Sequence, residues 1–314
     1  MTFACDRRSF INTGVSLAFG LAACRRATDD HLYLNYDEPG LDAAYDQRNW
    51  ADNIADVYAR LDARTADVLA RFGEPARHAY GPAEIEGLDW YPTSAPGAPV
   101  HVHLYGGGWR GGASRRNAFM APTFVESGVH FVVPDYVKVQ DTDGRLGPLA
   151  DDACRALAWV YANAARLGAD PEQIYISGHS SGGHLAGVAA VADWSQYDMP
   201  RTIIKAALCV SGMFDLVPVS LSARNEYVTF TEADVASLSP LNHLDRLTAR
   251  VAVAYGTNES PEFQRQSIAF ADAIRTTGRP VDTVVGTNLN HFEILETFAS
   301  PDGLMGRAAL AQIV

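Results

Sequence analysis

Gly178-His179-Ser180-Ser181-Gly182-Gly183 decides how this chain is read, because Gly178 to Gly182 fits Gly-x-Ser-x-Gly between a β-rich run and a helical one. Upstream, Gln173-Ile174-Tyr175-Ile176-Ser177 reads as a short buried strand, and downstream His184 to Ala192 is rich in Ala and Leu, as a helix is. Ser180 then sits on a sharp strand-to-helix turn, a nucleophile elbow. Glycines flank it because the serine backbone is strained there and side chains at either flank would crowd the strand and the helix. A Gly/Ser-rich loop would carry the same letters, and it is the strand-turn-helix context that argues for the elbow.

An elbow makes demands on the rest of the chain. A serine hydroxyl is a weak nucleophile until a histidine takes its proton, the histidine needs an acid to orient it, and the developing oxyanion needs backbone donors. In α/β-hydrolases these parts follow the order glycine-rich loop, Ser, acid, His. Val100-His101-Val102-His103-Leu104 alternates as a strand and runs into Tyr105-Gly106-Gly107-Gly108-Trp109. One of Gly106, Gly107 and Gly108 is expected to supply one oxyanion donor and the Ser181 N–H the other. A third apolar strand, Val251 to Tyr255, precedes Gly256-Thr257-Asn258-Glu259, which puts a carboxylate just past a strand's C-terminal end. Glu259 is preferred over Glu262, which reads as first-turn helix decoration after Ser260-Pro261. His291 follows the next strand, Val281 to Val285, and comes last, where the base belongs.

These residues together make the chain resemble the α/β-hydrolase family of kynurenine formamidase (arylformamidase) and its esterase neighbours, from about Leu41 to about Ala299. The likeness includes the GHSAGxHLA elbow at Gly178 to Ala186, Ala192-Asp193-Trp194, and Ser211-Gly212-Met213-Phe214-Asp215-Leu216. It continues in Ser260-Pro261-Glu262-Phe263, Arg265-Gln266-Ser267 and His291-Phe292-Glu293-Ile294. Two positions depart. Tyr105 stands where the family's His-Gly-Gly-x-Trp oxyanion motif has histidine, and Glu259 stands where an aspartate is usual. The resemblance implies a serine hydrolase acting on an amide or ester of a small aromatic molecule, without a cofactor. Tyr105, Trp109, Tyr136, Phe214 and Phe292 are the candidate substrate-binding walls.

At 314 residues, one α/β domain with a mostly parallel sheet flanked by helices is expected over residues 27–314. The net charge of −12, with Lys138 and Lys205 as the only lysines, argues against nucleic acid or an anionic membrane surface as a partner. Residues 1–26 read separately. Asp6-Arg7-Arg8-Ser9-Phe10-Ile11 has the twin-arginine form, Thr13 to Ala23 is an apolar h-region, and Leu21-Ala22-Ala23-Cys24 resembles a lipobox. Export to the periplasm or anchoring through a lipidated Cys24 is the expectation. Cys154 and Cys209 read as buried free thiols. Two rival readings remain open. One is a metal site on His101 and His103, which lie two apart on a strand but lack a placed third ligand. The other is a catalytically inactive hydrolase fold used for binding.

Overall fold

Eight strands form one sheet in the computed structural model, which describes residues 31–313. In chain order they are β1 (Ala76–Ala79), β2 (Gly87–Tyr91), β3 (Ala98–Leu104), β4 (His130–Pro134), β5 (Ala169–His179), β6 (Ala206–Val210), β7 (Arg250–Gly256) and β8 (Val281–Gly286). Across the sheet the order is β1-β2-β4-β3-β5-β6-β7-β8. Only β2 runs against its neighbours. From β4 to β8 every pairing is parallel, as an α/β-hydrolase requires.

The expected strands are all present, extended by a few residues. β4 and β6 are buried along their whole length, so both faces are covered and burial shows no alternation. Helices of the parallel crossovers pack against them: Ser181–Ala190 on β5, β6 and β3, Gly147–Asn163 on β5, and Pro261–Thr276 on β7 and β8. The last begins as its sequence predicts, with Pro261 at the first turn and the Ser260 hydroxyl accepting from the Phe263 N–H at 3.2 Å. Cys154 and Cys209 are free and buried, and burial pushes each thiol up to about 12.

Register decides where function can sit. Leu104 pairs with Gly178, Gly178 with Cys209, Val210 with Ala254, and Gly256 with Gly286. The strand ends that precede the glycine loop, Ser180, Glu259 and His291 therefore lie along one edge of the sheet, the C-terminal edge where open α/β sheets place their sites. The twin-arginine and lipobox segment, with Cys5 and Cys24, lies outside the described residues.

Candidate active site

Ser180 has φ 58 and ψ −124, a conformation that a non-glycine residue holds only under constraint, at about 1–3 kcal/mol. The constraint comes from both sides. Its N–H donates to Val210 O at 2.9 Å, and the helix Ser181–Ala190 starts at the next residue. A Cβ on Gly178 would lie 2.0 Å from Gly182 O, and one on Gly182 would lie 2.0 Å from Leu104 O. Those two glycines are what lets strand and helix close around the serine. Although Ser180 stands at the helix N-cap, its side chain makes no capping bond, so the hydroxyl is left for other chemistry.

The glycine loop runs directly against this serine. A Cβ on Gly106 would be 3.0 Å from Ser180 Cβ, and Gly107 and Gly108 hold φ values of 136° and 63° that only glycine adopts freely. At the loop's start, Tyr105 is buried, its hydroxyl donates to Asp135 Oδ1 at 3.0 Å, and its carbonyl accepts from the Tyr136 hydroxyl. The Ser181 N–H opens the adjacent helix, where unpaired backbone donors favour negative charge.

Glu259 and His291 meet from two neighbouring strand ends. Glu259 Oε1 accepts from the Gly256 N–H at 2.9 Å and from the Ser211 hydroxyl, which fixes the carboxylate. Its Oε2 faces His291 Nδ1 at 3.5 Å, and both atoms are buried without another hydrogen-bond partner. A proton on Nδ1, facing that carboxylate, leaves Nε2 to accept another. Asn290 Oδ1 holds the backbone after His291 by accepting from the N–H groups of Phe292 and Glu293 at 2.9 and 3.0 Å. From the elbow side, His179 Nε2 bonds the His291 carbonyl at 2.8 Å. Burial holds His179 well below the usual imidazole range, with His291 next among the causes, so His179 is neutral and donates from Nε2.

Glu262 does stand in the first turn of its helix, but it is more than decoration. It is fully buried, accepts from Tyr45 OH at 2.7 Å and forms a two-pronged pair with Arg265 at 2.7 Å. Those bonds fasten the helix Glu38–Tyr45 to the start of the helix after Glu259.

Ser180, His291 and the three loop glycines line one cavity of about 440 Å³. Of the aromatics expected as its walls, Tyr105 and Phe292 line it. Trp109, Tyr136 and Phe214 do not, because each is used in packing behind it. Trp109 bonds His184 Nδ1 at 3.2 Å, Tyr136 stacks on Tyr105 at 4.5 Å, and Phe214 stacks on Phe270 at 4.2 Å. Sequence reasoning missed Tyr45, Gln47, Tyr58, Arg224 and Tyr227, which also line the cavity. Arg224 joins two remote segments there, donating to Tyr227 OH at 2.8 Å and to Tyr45 O at 2.9 Å. Only long-range folding brings these residues in, and no local motif marks them. Ser211, the support of Glu259, does lie within a string that carried the family resemblance.

His101 and His103 share a face as expected, but that face is packed. Both rings bond Ser177 Oγ, at 2.7 and 2.8 Å, and His101 stacks on Phe124 at 4.1 Å. Burial lowers both, His103 to about 3, so both are neutral core groups. Among the described residues no group of three His, Cys, Asp or Glu side chains gathers to hold a metal ion.

Comparison with known proteins agrees with this geometry. The BD-FAE family model matches residues 88–274. The chain is 30% identical over 241 residues to the kynurenine formamidase of Danio rerio, covering 74% of this chain and 80% of that protein. It is 29% identical over 249 residues to the esterase LipQ of Mycobacterium tuberculosis, covering 72% and 56%. A crystal structure from Silicibacter sp. TM1040 superposes with a TM-score of 0.75 at 22% identity, over 86% of this chain and 98% of that one, and shows the same fold. With formamidases and esterases as its relatives, the chain belongs to the BD-FAE family and is a hydrolase of the kynurenine-formamidase-like α/β-hydrolase kind.

Proposed function

We propose that this hydrolase is a serine enzyme that cleaves an amide or ester of a small aromatic molecule through an acyl-enzyme. The observation that carries the reading is Ser180, held strained at the elbow and opening into the same cavity as His291, whose Nδ1 faces the buried Glu259. Ser180 Oγ attacks the carbonyl carbon while His291 Nε2 takes its proton, and Glu259 stabilises the imidazolium. Backbone N–H groups of the glycine loop, with Gly107 as first choice, and of Ser181 receive the oxyanion. Collapse expels the amine or alcohol, which takes the proton back from His291. Water repeats the sequence on the acyl-enzyme and releases the acid.

A cavity of about 440 Å³ with Tyr58, Phe119, Tyr227 and Phe292 in its lining suits one aromatic ring with a short acyl group. Tyr105 in place of the family histidine favours activated aryl esters, whose leaving groups need less oxyanion stabilisation, with N-formyl-kynurenine the weaker substrate. The test compares kcat/KM for N-formyl-kynurenine and 4-nitrophenyl acetate in wild type and Tyr105→His, beside fluorophosphonate labelling of Ser180. A tenfold preference of the wild type for the formamide overturns the ester preference. Absence of labelling and turnover overturns the serine mechanism and favours a binding role. For location, we retain export by the twin-arginine segment, with Cys24 as the anchoring residue.

A further inference from the structure

Both ends of the glycine loop are tied to one carboxylate. Asp135, directly after β4, accepts at Oδ1 from the Tyr105 hydroxyl at 3.0 Å and from the Ser114 N–H at 2.7 Å. At Oδ2 it accepts from the Ser114 hydroxyl and from Arg77, both at 2.8 Å. Tyr105 opens the loop and Ser114 follows its last glycine, so Asp135 closes the loop into a ring. Above this clasp lies Lys138. Its ammonium donates to the Tyr105 hydroxyl and sits 4.3 Å from the Tyr105 ring centroid and 4.7 Å from that of Tyr136, whose own hydroxyl donates to the Tyr105 carbonyl. Lys138 does not line the cavity.

We propose that Lys138 is a positioning residue for the oxyanion loop, holding Tyr105 against Asp135 and so fixing the glycine N–H groups beside Ser180. This rests on the serine-hydrolase reading above. A cation over two stacked phenol rings is attracted by their faces, and at a half-buried site that attraction is stronger than in water. The tyrosine that replaces the family's histidine is thus built in rather than merely tolerated, because its hydroxyl reaches the carboxylate and the ammonium together.

Burial lowers the Lys138 ammonium to about 8, while the carboxylates facing it, Asp135 and Asp141, pull it up. The other groups around it are the Tyr105 and Tyr136 phenols, both raised by burial and neutral throughout, and Arg77 on the far side of Asp135. Below about pH 8 Lys138 is charged and the clasp is whole. Above it the amine is neutral and the contact with Tyr105 weakens. The sign for stability is the opposite. A lysine lowered in the folded state is a burden while charged, so its contribution improves as pH rises from about 8 to 10.5, and lost activity in that window is not unfolding.

The test is kcat and KM for 4-nitrophenyl acetate between pH 6 and 10 in wild type, Lys138→Met, Lys138→Arg and Tyr105→Phe. Removing one oxyanion donor outright costs about 10²–10³ in kcat, so loosening the loop should cost about 10- to 100-fold in Lys138→Met with KM within about twofold. Wild type should lose kcat above about pH 8. Lys138→Met should lack that limb, and Lys138→Arg should restore most of the rate without it, since arginine stays charged. Should Lys138→Met not fold, Tyr105→Phe removes only the hydroxyl and must show the same lowered kcat and missing limb. Wild-type rate and pH profile in either folded variant overturns this inference alone. A wild type that neither turns over nor takes a fluorophosphonate overturns the serine mechanism and this inference with it.

Discussion

Glu259→Gln tests the proposed acid through a detail of its hydrogen bonding. Oε1 accepts from two donors, the Gly256 N–H and the Ser211 hydroxyl. In the amide, the oxygen must occupy that position, because an NH₂ there would face the fixed Gly256 N–H. The NH₂ is then directed at His291 Nδ1, where the carboxylate oxygen now stands at 3.5 Å. Nδ1 must accept, the imidazole proton moves to Nε2, and Ser180 loses its base. The same wrong tautomer in serine proteases lowers kcat about 10⁴-fold, or about 5 kcal/mol of barrier. Glu259→Asp keeps the charge but retracts it by about 1.5 Å, one C–C bond, so it must give up either His291 or its Gly256 and Ser211 anchors. A displacement of that size is expected to cost about 10- to 100-fold. Initial rates on 4-nitrophenyl acetate, with thermal melts to show that the variants fold, read these effects. Glu262→Gln is the control: it breaks a buried pair, so it should lower stability by about 3 kcal/mol, the low end for such pairs because Arg265 is about one-third exposed, with near-normal kcat in the folded fraction. More than one tenth of wild-type kcat in Glu259→Gln, or a larger loss of kcat in Glu262→Gln, refutes the assignment of Glu259.

Ser180→Ala and His291→Ala should each lower turnover by about 10⁴- to 10⁶-fold and the double variant scarcely further, since the residues act as a unit; multiplicative losses count against that unit. Stability should hold above pH 6.5 and fall as the pH drops toward 4 and then 3. His184 and His103 are pushed by burial down to about 4 and about 3, so between those values and 6.5 the unfolded imidazoles take up protons that the folded ones do not. His103→Gln, which can keep a bond to Ser177 without titrating, should flatten the fall in melting temperature; a wild-type melting temperature unchanged from pH 7 to pH 4 contradicts this account. If the N-terminal segment directs export, Arg7→Lys with Arg8→Lys should trap the protein in the cytoplasm and Cys24→Ala should release it from membranes. Cytoplasmic wild type with an intact N-terminus argues against both.

The sequence by itself determined what depends on neighbours in the chain. Gly-x-Ser-x-Gly between a strand and a helix marks Ser180 because the turn's glycines lie within two residues of the serine, although the contacts that hold it, on Val210 O and against Leu104 O, come from distant strands. Strands β5 and β7 were legible as apolar runs and β3 as an alternating one, and Pro261 after Ser260 marked a helix start, because each pattern reports a local backbone preference, whereas the buried β2 and β4 were not expected. The order of the glycine loop, Ser180, Glu259 and His291 could be read for the same reason, since each follows its own strand. Tertiary structure alone decided which polar groups share a buried space. Position after a strand already favoured Glu259 over Glu262, but the buried commitment of Glu262 to Tyr45 and Arg265, and the two anchors that aim Glu259 at His291, came only from packing. Likewise Trp109, Tyr136 and Phe214 carry the same apolar surface as Phe292, and their removal from the cavity wall follows from partners as distant in sequence as His184, Tyr105 and Phe270. Hydrogen bonds and ring contacts are short-ranged in space but indifferent to distance along the chain, so the clasp of Asp135, Tyr105 and Lys138 exists only once β3 and β4 lie side by side.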